Sequence, residues 1–302
     1  MSGKPFILRN QTNRRIRMKK IIIASDSTTD LSEELIRKYD IRILPMIITL
    51  GDHDYFDFGD LTPDQIYQHY EETGELPKTS AINLVRFEKF FAELRKEAES
   101  VIFFTLSSEM SSSFNNARTV ALDDENVYVV DGQNLSTGGG LLVLKAAEMA
   151  EAGLSATEIV EKCQELVPCV DASFVIDDLE YLKAGGRVSA LSANAASMLN
   201  IKPCIMVRNG KMIVGRKYHG KLKVVVKKYV NEIIEEAGDI DREFGFITHS
   251  GCDKQLVDEV YRQVSEMNIF DKIFITRAGC TVSSHCGPDT IGVLFIRKNP
   301  IC

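Results

Sequence analysis

No uncharged apolar run in the 302-residue sequence approaches the length of a membrane span, so no integral membrane segment is expected. No signal-peptide core is present either, because the N-terminal stretch "MSGKPFILRNQTNRRIRMKK" is basic and aperiodic. Residues 1–17 read as a disordered extension or an appended segment, with Met18 the expected start. Seven cysteines, at 163, 169, 204, 252, 280, 286 and 302, include no CxxC pair. That spacing supports neither a zinc site nor a thioredoxin motif and fits reduced thiols in a cytoplasm. Positive charge is not in excess: a formal net charge of −7 argues against nucleic acid as a partner. GxxxxGK[ST], GxGxxG and GxSxG are all missing. Their absence removes the sequence signatures of a phosphate loop, a dinucleotide site and an α/β-hydrolase nucleophile. No metal and no cofactor are expected, and neither an internal repeat nor a low-complexity tract is visible.

What is present is globular. Hydrophobic residues make up 44% of the chain and charged residues 26%, enough for a sizeable core. Buried-strand runs such as "KKIIIASD", "SVIFFTLS" and "NVYVVD" each end in a polar turn followed by a helical period. This order predicts right-handed crossovers and a mostly parallel sheet with flanking helices over residues 18–172. Thr62 before Pro63, with Gly74 closing the segment, marks one helix, and Ser155 with Glu158 opens another through a capping box. Asp30 with Glu33 reads as a further capping box. After residue 172 the pattern changes to hairpins and alternating helices, with Asn209-Gly210 as a hairpin turn. Residues 173–302 are therefore expected to form an α+β lobe with a mixed sheet, and the fold class is two-lobed α/β.

In parallel sheets, loops after the strand ends gather at one edge, where ligands sit. Four polar stretches fall at such places: "SDSTTD" (25–30), "KTS" (78–80), "SSEMSSS" (107–113) and "DGQNLSTGGG" (131–140). Hydroxyls and free N–H groups at a helix start suit a phosphate or carboxylate, and simple helix capping explains the same residues. Thr79 and Ser80 read either as an anion site or as an N-cap. Arg187 follows two glycines in "KAGGRVSA", where its guanidinium could fork onto a carboxylate or phosphate. His285 stands in "SSHCGPDT", read as a loop between apolar strands.

These stretches, in this order, resemble the DegV family of fatty-acid-binding proteins. The matching residues are "SDSTTDL", "PKTS" (77–80), "LSSEMSSSFNNA" (106–117), "VVDGQNLSTGGG", "LEYLKAGGRVS" (179–189), "LNIKP" (199–203) and "HCGPDTIGVLF" (285–295). The likeness spans residues 19–297. It implies two lobes clasping a long-chain fatty acid, in a cytoplasmic protein that performs no chemistry itself. A separate ATP-dependent fatty-acid kinase subunit would phosphorylate the held carboxylate to an acyl phosphate. By the same resemblance Thr79, Ser111, Arg187 and His285 hold the carboxylate, and Ser80, Ser108 and Ser112 stand behind them. Residues 190–201 are a candidate lid over the tail, and a monomer is expected. Three positions depart from the family pattern: Ser112 replaces a glycine, Asp289 replaces a glycine near the site, and Gly132 replaces a serine. "VRNGKMIVGRKYHGKLK" (207–223) is a basic stretch suited either to docking an acidic kinase surface or to solvent. The competing reading is an enzyme acting on a small phosphorylated or carboxylated metabolite, with His285 as acid/base and the serines as a cradle.

Overall fold

The computed structural model describes residues 19–188 and 201–301. The expected extension over 1–17 and all but the last residue of the candidate lid lie outside the described residues. The first half of the chain runs β1 (Lys19–Asp26), α1 (Glu33–Lys38), β2 (Arg42–Leu44), β3 (Ile47–Leu50), β4 (His53–Phe56), α2 (Pro63–Thr73) and β5 (Lys78–Ser80). It continues with α3 (Leu84–Arg95), β6 (Ala98–Thr105), α4 (Ser113–Ala121), β7 (Val127–Asp131), α5 (Thr137–Glu151) and α6 (Ala156–Leu166). The second half runs β8 (Val170–Val175), α7 (Glu180–Gly185), β9 (Ile201–Arg208), β10 (Lys211–His219), α8 (Leu222–Glu236), β11 (Ile240–His249) and α9 (Lys254–Glu266). It closes with β12 (Lys272–Arg277), α10 (Cys280–Cys286) and β13 (Ile291–Arg297).

Four strands pair in parallel in the order β2-β1-β6-β7. Their continuous apolar runs suit a sheet covered on both faces. The pairings Asp26↔Leu44 and Thr105↔Asp131 align the strand ends, so the polar stretches that follow share one edge. A small antiparallel sheet, β4-β3-β5, stands beside that edge. The second half forms a six-stranded mixed sheet, β10-β9-β8-β13-β11-β12, in which only β11 and β12 run parallel. Its hairpin turns at Asn209 (φ 50°) and Gly210 (φ 77°), as an Asn-Gly turn requires.

Helix α5 joins the two halves. It is apolar and buried around most of its circumference, from Thr137 to Ala147, as befits a helix with sheet on both sides. Gly140 brings its backbone against the Thr29 turn, where an added Cβ would stand 2.8 Å from the Thr29 carbonyl oxygen. The largest core cluster runs through this helix, from Ile23 and Ile102 to Phe174, Ile205 and Leu294, so both halves share one core. The expected boundary at 172/173 falls inside β8. A separate cluster under α3 is built on Phe87, Phe91 and Phe103.

Local signals held where they were strongest. Thr62–Gln65 and Ser155–Glu158 form the two capping boxes, and Gly74 (φ 72°) closes α2. Two readings are corrected. Asp30 does not cap α1: Ser32 does, accepting the Leu35 N–H, while Asp30 turns inward. Thr79 and Ser80 are not an N-cap: they lie in β5, paired with β3, and Asn83 caps α3. Among the described residues no helix is long and apolar enough to cross a membrane.

Candidate functional site

Where the ends of the parallel strands meet the second half of the chain, a cavity of about 310 Å³ opens. Strand β5 brings Thr79 and Ser80, the loop before α4 brings Ser111 and Ser112, and the segment after α7 brings Arg187. Helix α10 brings Thr281, Val282, His285 and Cys286. Thr28, Met46, Ala81, Leu106, Met110, Leu135 and Met212 complete the wall, which is apolar away from the hydroxyls. A second, far narrower cavity of about 20 Å³ begins behind the same Leu135, Val282 and Cys286, with Ala172, Phe174 and Leu294 among its walls.

The polar corner has a defined geometry. Thr79 Oγ1 lies 2.9 Å from His285 Nε2, joining residues 206 positions apart. His285 stands in the last turn of α10, not in a loop as its sequence setting suggested. Its ring packs on Gly185, where an added Cβ would come within 2.3 Å of Nδ1, so the glycine of "AGGR" makes room for the imidazole. Nδ1 itself is buried with no hydrogen-bond partner among the described residues. Burial, and secondarily the charge of Arg187, push the imidazole down to about 4, so it is neutral at physiological pH. Arg187 is exposed, donates through Nη1 to the Gly185 carbonyl and forms no ion pair among the described residues.

The serine cluster has several distinct tasks. Ser111 Oγ accepts the Ser113 N–H at 3.2 Å and donates to Ser113 Oγ at 3.0 Å. Ser113 Oγ also accepts the Ile82 N–H at 3.1 Å, tying this loop to the approach to α3. Ser112 holds the N-cap position of α4 without a side-chain capping bond and lines the cavity. Ser80 lines it too. Ser108 does not reach the cavity; its N–H donates to Asp131 Oδ1 at 3.1 Å. Ser107, which the sequence did not single out, donates to the Gly210 carbonyl at 2.7 Å and docks the β9–β10 hairpin over the opening.

The departures from the family pattern resolve in space. Asp289 is absent from the wall and sits near Asp177, Asp253 and Lys202, with burial and the two acids raising its carboxyl. Gly132 donates to the Thr105 carbonyl at 3.2 Å, and a Cβ there would stand 2.8 Å from that oxygen. In the basic stretch, Arg208 pairs with Asp171, Lys211 with Glu109, Arg216 with Glu232 and Lys223 with Glu259, so four of its six cations are already balanced.

Sequence reasoning missed a trio of buried acids beneath the site. Asp26 accepts the Leu106 N–H at 2.7 Å, and Asp30 accepts the Gly279 N–H at 2.8 Å. Asp57 accepts the Cys280 N–H at 2.9 Å and the Ser27 hydroxyl at 2.8 Å. No compositional signal marks Asp57, whose partners Cys280 and Thr281 lie more than 200 residues away. Burial raises all three carboxyls, and Asp30 is pushed up to about 8.

A raised folded-state carboxyl adds stability that is complete below its ordinary 3.8 and is lost as pH climbs towards 8. His285 acts in the reverse sense. Its contribution is complete above 6.5 and is lost as pH falls towards 4. From pH 6.5 to 8 only the Asp30 loss operates of these two. Thermal melts across that window are expected to show a falling Tm for the wild type and a shallower fall for Asp30→Asn. An equal slope in both would contradict the assignment.

Comparison with known proteins agrees on one family. A family model described as "Uncharacterised protein, DegV family" matches residues 20–298. A DegV domain-containing protein of Caldanaerobacter subterraneus is 32% identical over 93% of this chain and 100% of its own length. A DegV family protein from Thermus thermophilus, described for its fatty-acid binding, superposes with a TM-score of 0.86 at 26% identity, covering 92% of this chain and 99% of its own. A stearic-acid-binding protein from Eubacterium ventriosum gives a TM-score of 0.76 at 28% identity, covering 93% and 99%.

Proposed function

The chain belongs to the DegV family, and on that premise we propose that it holds a long-chain fatty acid between its two halves and presents the carboxylate to a separate ATP-dependent fatty-acid kinase subunit. The observation that carries this reading is the cavity itself, whose wall combines hydroxyls and a neutral imidazole, with Thr79 and His285 in contact, and apolar side chains. Each methylene buried in such a wall contributes about 0.8 kcal/mol, reduced by the entropy of immobilising the ligand. Met46, Met110 and Met212 give the wall adaptable side chains.

At the corner, Thr79, Ser111 and His285 offer uncharged polar groups whose hydroxyls can turn from their present partners towards a ligand, and Arg187 supplies charge from the exposed rim. Neutral donors orient a carboxylate without quenching it, which leaves one oxygen nucleophilic towards ATP held by another protein. Ser80, Ser112 and Arg187 are exposed, so this corner is reachable from outside. The enzyme reading is disfavoured by His285 itself. A general base works best with a pKa near the operating pH and a partner that orients it. This imidazole sits at about 4, and its buried Nδ1 has no partner among the described residues.

The test is calorimetric titration with palmitic acid. Hydrogen bonds to a charged group are worth about 1.5–3 kcal/mol each. The double variant Thr79→Ala, Ser111→Ala is therefore expected to lose about a hundredfold in affinity and to stop supporting acyl phosphate formation with the kinase subunit. Unchanged affinity and unchanged turnover would reject the clamp.

A further inference from the structure

Thr79 and His285 belong to elements far apart in the chain, yet they meet at hydrogen-bond distance. Asp57 is bonded to the supports of both. Its backbone N–H donates to the Met46 carbonyl at 3.0 Å, directly after β4 and beside β3. Strand β3 in turn pairs with the strand that carries the threonine, in the register Ile48↔Thr79. Its side chain crosses to the other half of the molecule. There Oδ1 accepts the Cys280 N–H at 2.9 Å and Oδ2 the Thr281 N–H at 3.3 Å, at the start of the helix that carries His285.

Ser27 completes the connection. Its hydroxyl donates to Asp57 Oδ2 at 2.8 Å while accepting the N–H of Met46, a cavity residue, at 3.0 Å. Asp30 accepts the N–H of the preceding Gly279. An added Cβ at that glycine would stand 3.2 Å from an oxygen of each carboxyl. The result is a closed ring of bonds: Thr79, β5, β3, Met46, Asp57, α10, His285 and back to Thr79.

Resting on the fatty-acid reading above, we infer that Asp57 is a positioning residue that sets the Thr79–His285 distance by holding α10 against the small sheet. It touches no ligand: it is 1% exposed and absent from the cavity wall. All the donors around it are N–H or O–H groups, so an amide in its place would turn its NH₂ towards one of them. One or two lost or reversed bonds, according to which oxygen the NH₂ replaces, would let α10 shift and open the corner, while the apolar wall built by Leu106, Leu135 and Met110 stays.

The test compares wild type, Asp57→Asn and the milder Ser27→Ala, each first checked by thermal melting for a folded state. Each is titrated with palmitic acid and with hexadecanol, which shares the tail and lacks the carboxylate. The His285 side-chain nitrogen resonances are read in protein carrying isotope-labelled histidine, without ligand. Expected are a fall of about tenfold or more in acid affinity, unchanged alcohol affinity, and a displaced His285 signal. Equal losses for acid and alcohol, or an unmoved His285 signal in a folded variant, would overturn the inference. Should Asp57→Asn not fold, the same comparison in Ser27→Ala decides. Should the wild type bind neither probe, the fatty-acid reading fails, and the His285 signal alone decides whether Asp57 positions the ring.

Discussion

Gly185→Ala is expected to abolish high-affinity fatty-acid binding in a protein that still folds. The residue is helical and its φ is not positive, so alanine suits the backbone and even favours the helix. The obstacle is tertiary. The new methyl would sit 2.3 Å from His285 Nδ1, closer than real Cβ contacts come, and a tight 3.3 Å from Cε1. Either the imidazole rotates off Thr79 or α7 retreats from α10. Overpacking of this kind costs about 1–3 kcal/mol. Here the cost falls on the corner that would hold the carboxylate, so affinity for palmitic acid should drop by about ten- to a hundredfold. Titration of the variant, with its melting curve as control, checks this. Retained affinity would mean that the imidazole does not need its present place. Gly186→Ala is the companion control. It meets no atom within 4 Å, but its φ of 66° makes any side chain there strained, so it should tax stability and leave the His285 ring in place.

Phe103→Ala should have the larger effect on stability and little on the ligand. Phe103 is fully buried, edge-on to Phe87 at 5.4 Å and to Phe91 at 5.5 Å between ring centroids. Its cluster lies on the α3 face of the parallel sheet, whereas the neighbouring Phe104 faces the core shared with α5. Emptying such a site costs about 3–5 kcal/mol, which for a chain of this size lowers Tm by roughly 5–8 °C. Differential scanning calorimetry measures the shift, and palmitic acid affinity at low temperature should stay close to wild type because Phe103 is absent from the cavity wall. A loss of binding equal to that of Gly185→Ala would show that the two clusters are coupled.

How far the sequence was legible depends on the range of the interaction. Thr62 before Pro63, Ser155 with Glu158 and the Asn209-Gly210 turn were readable because each partner lies within a few residues. The misread residues have distant partners. Asp30 has the spacing of a cap, but Ser32 takes that task and Asp30 bonds Gly279. "CTVSSHC" is poor in helix formers and reads as loop, yet its first N–H groups are taken up by Asp57 from another sheet. "KTS" becomes a strand only because β3 stands next to it.

The candidate site divides the same way. Thr79, Ser111, Arg187 and His285 were named from motifs, and all four line one cavity. Gly185, Ser107 and Asp57 were not, since a glycine that faces a ring or an acid that faces an N–H looks like any other in a sequence.

By itself the sequence determined the long strands and helices, the caps whose partners are near neighbours and the order of the polar turns, because these follow from side-chain period and local bonds. Only the tertiary structure decided which hydroxyls converge, which histidine nitrogen is left without a partner and which acids are buried. Those properties arise where segments more than 200 residues apart come into contact and water is excluded, and no local pattern encodes that contact.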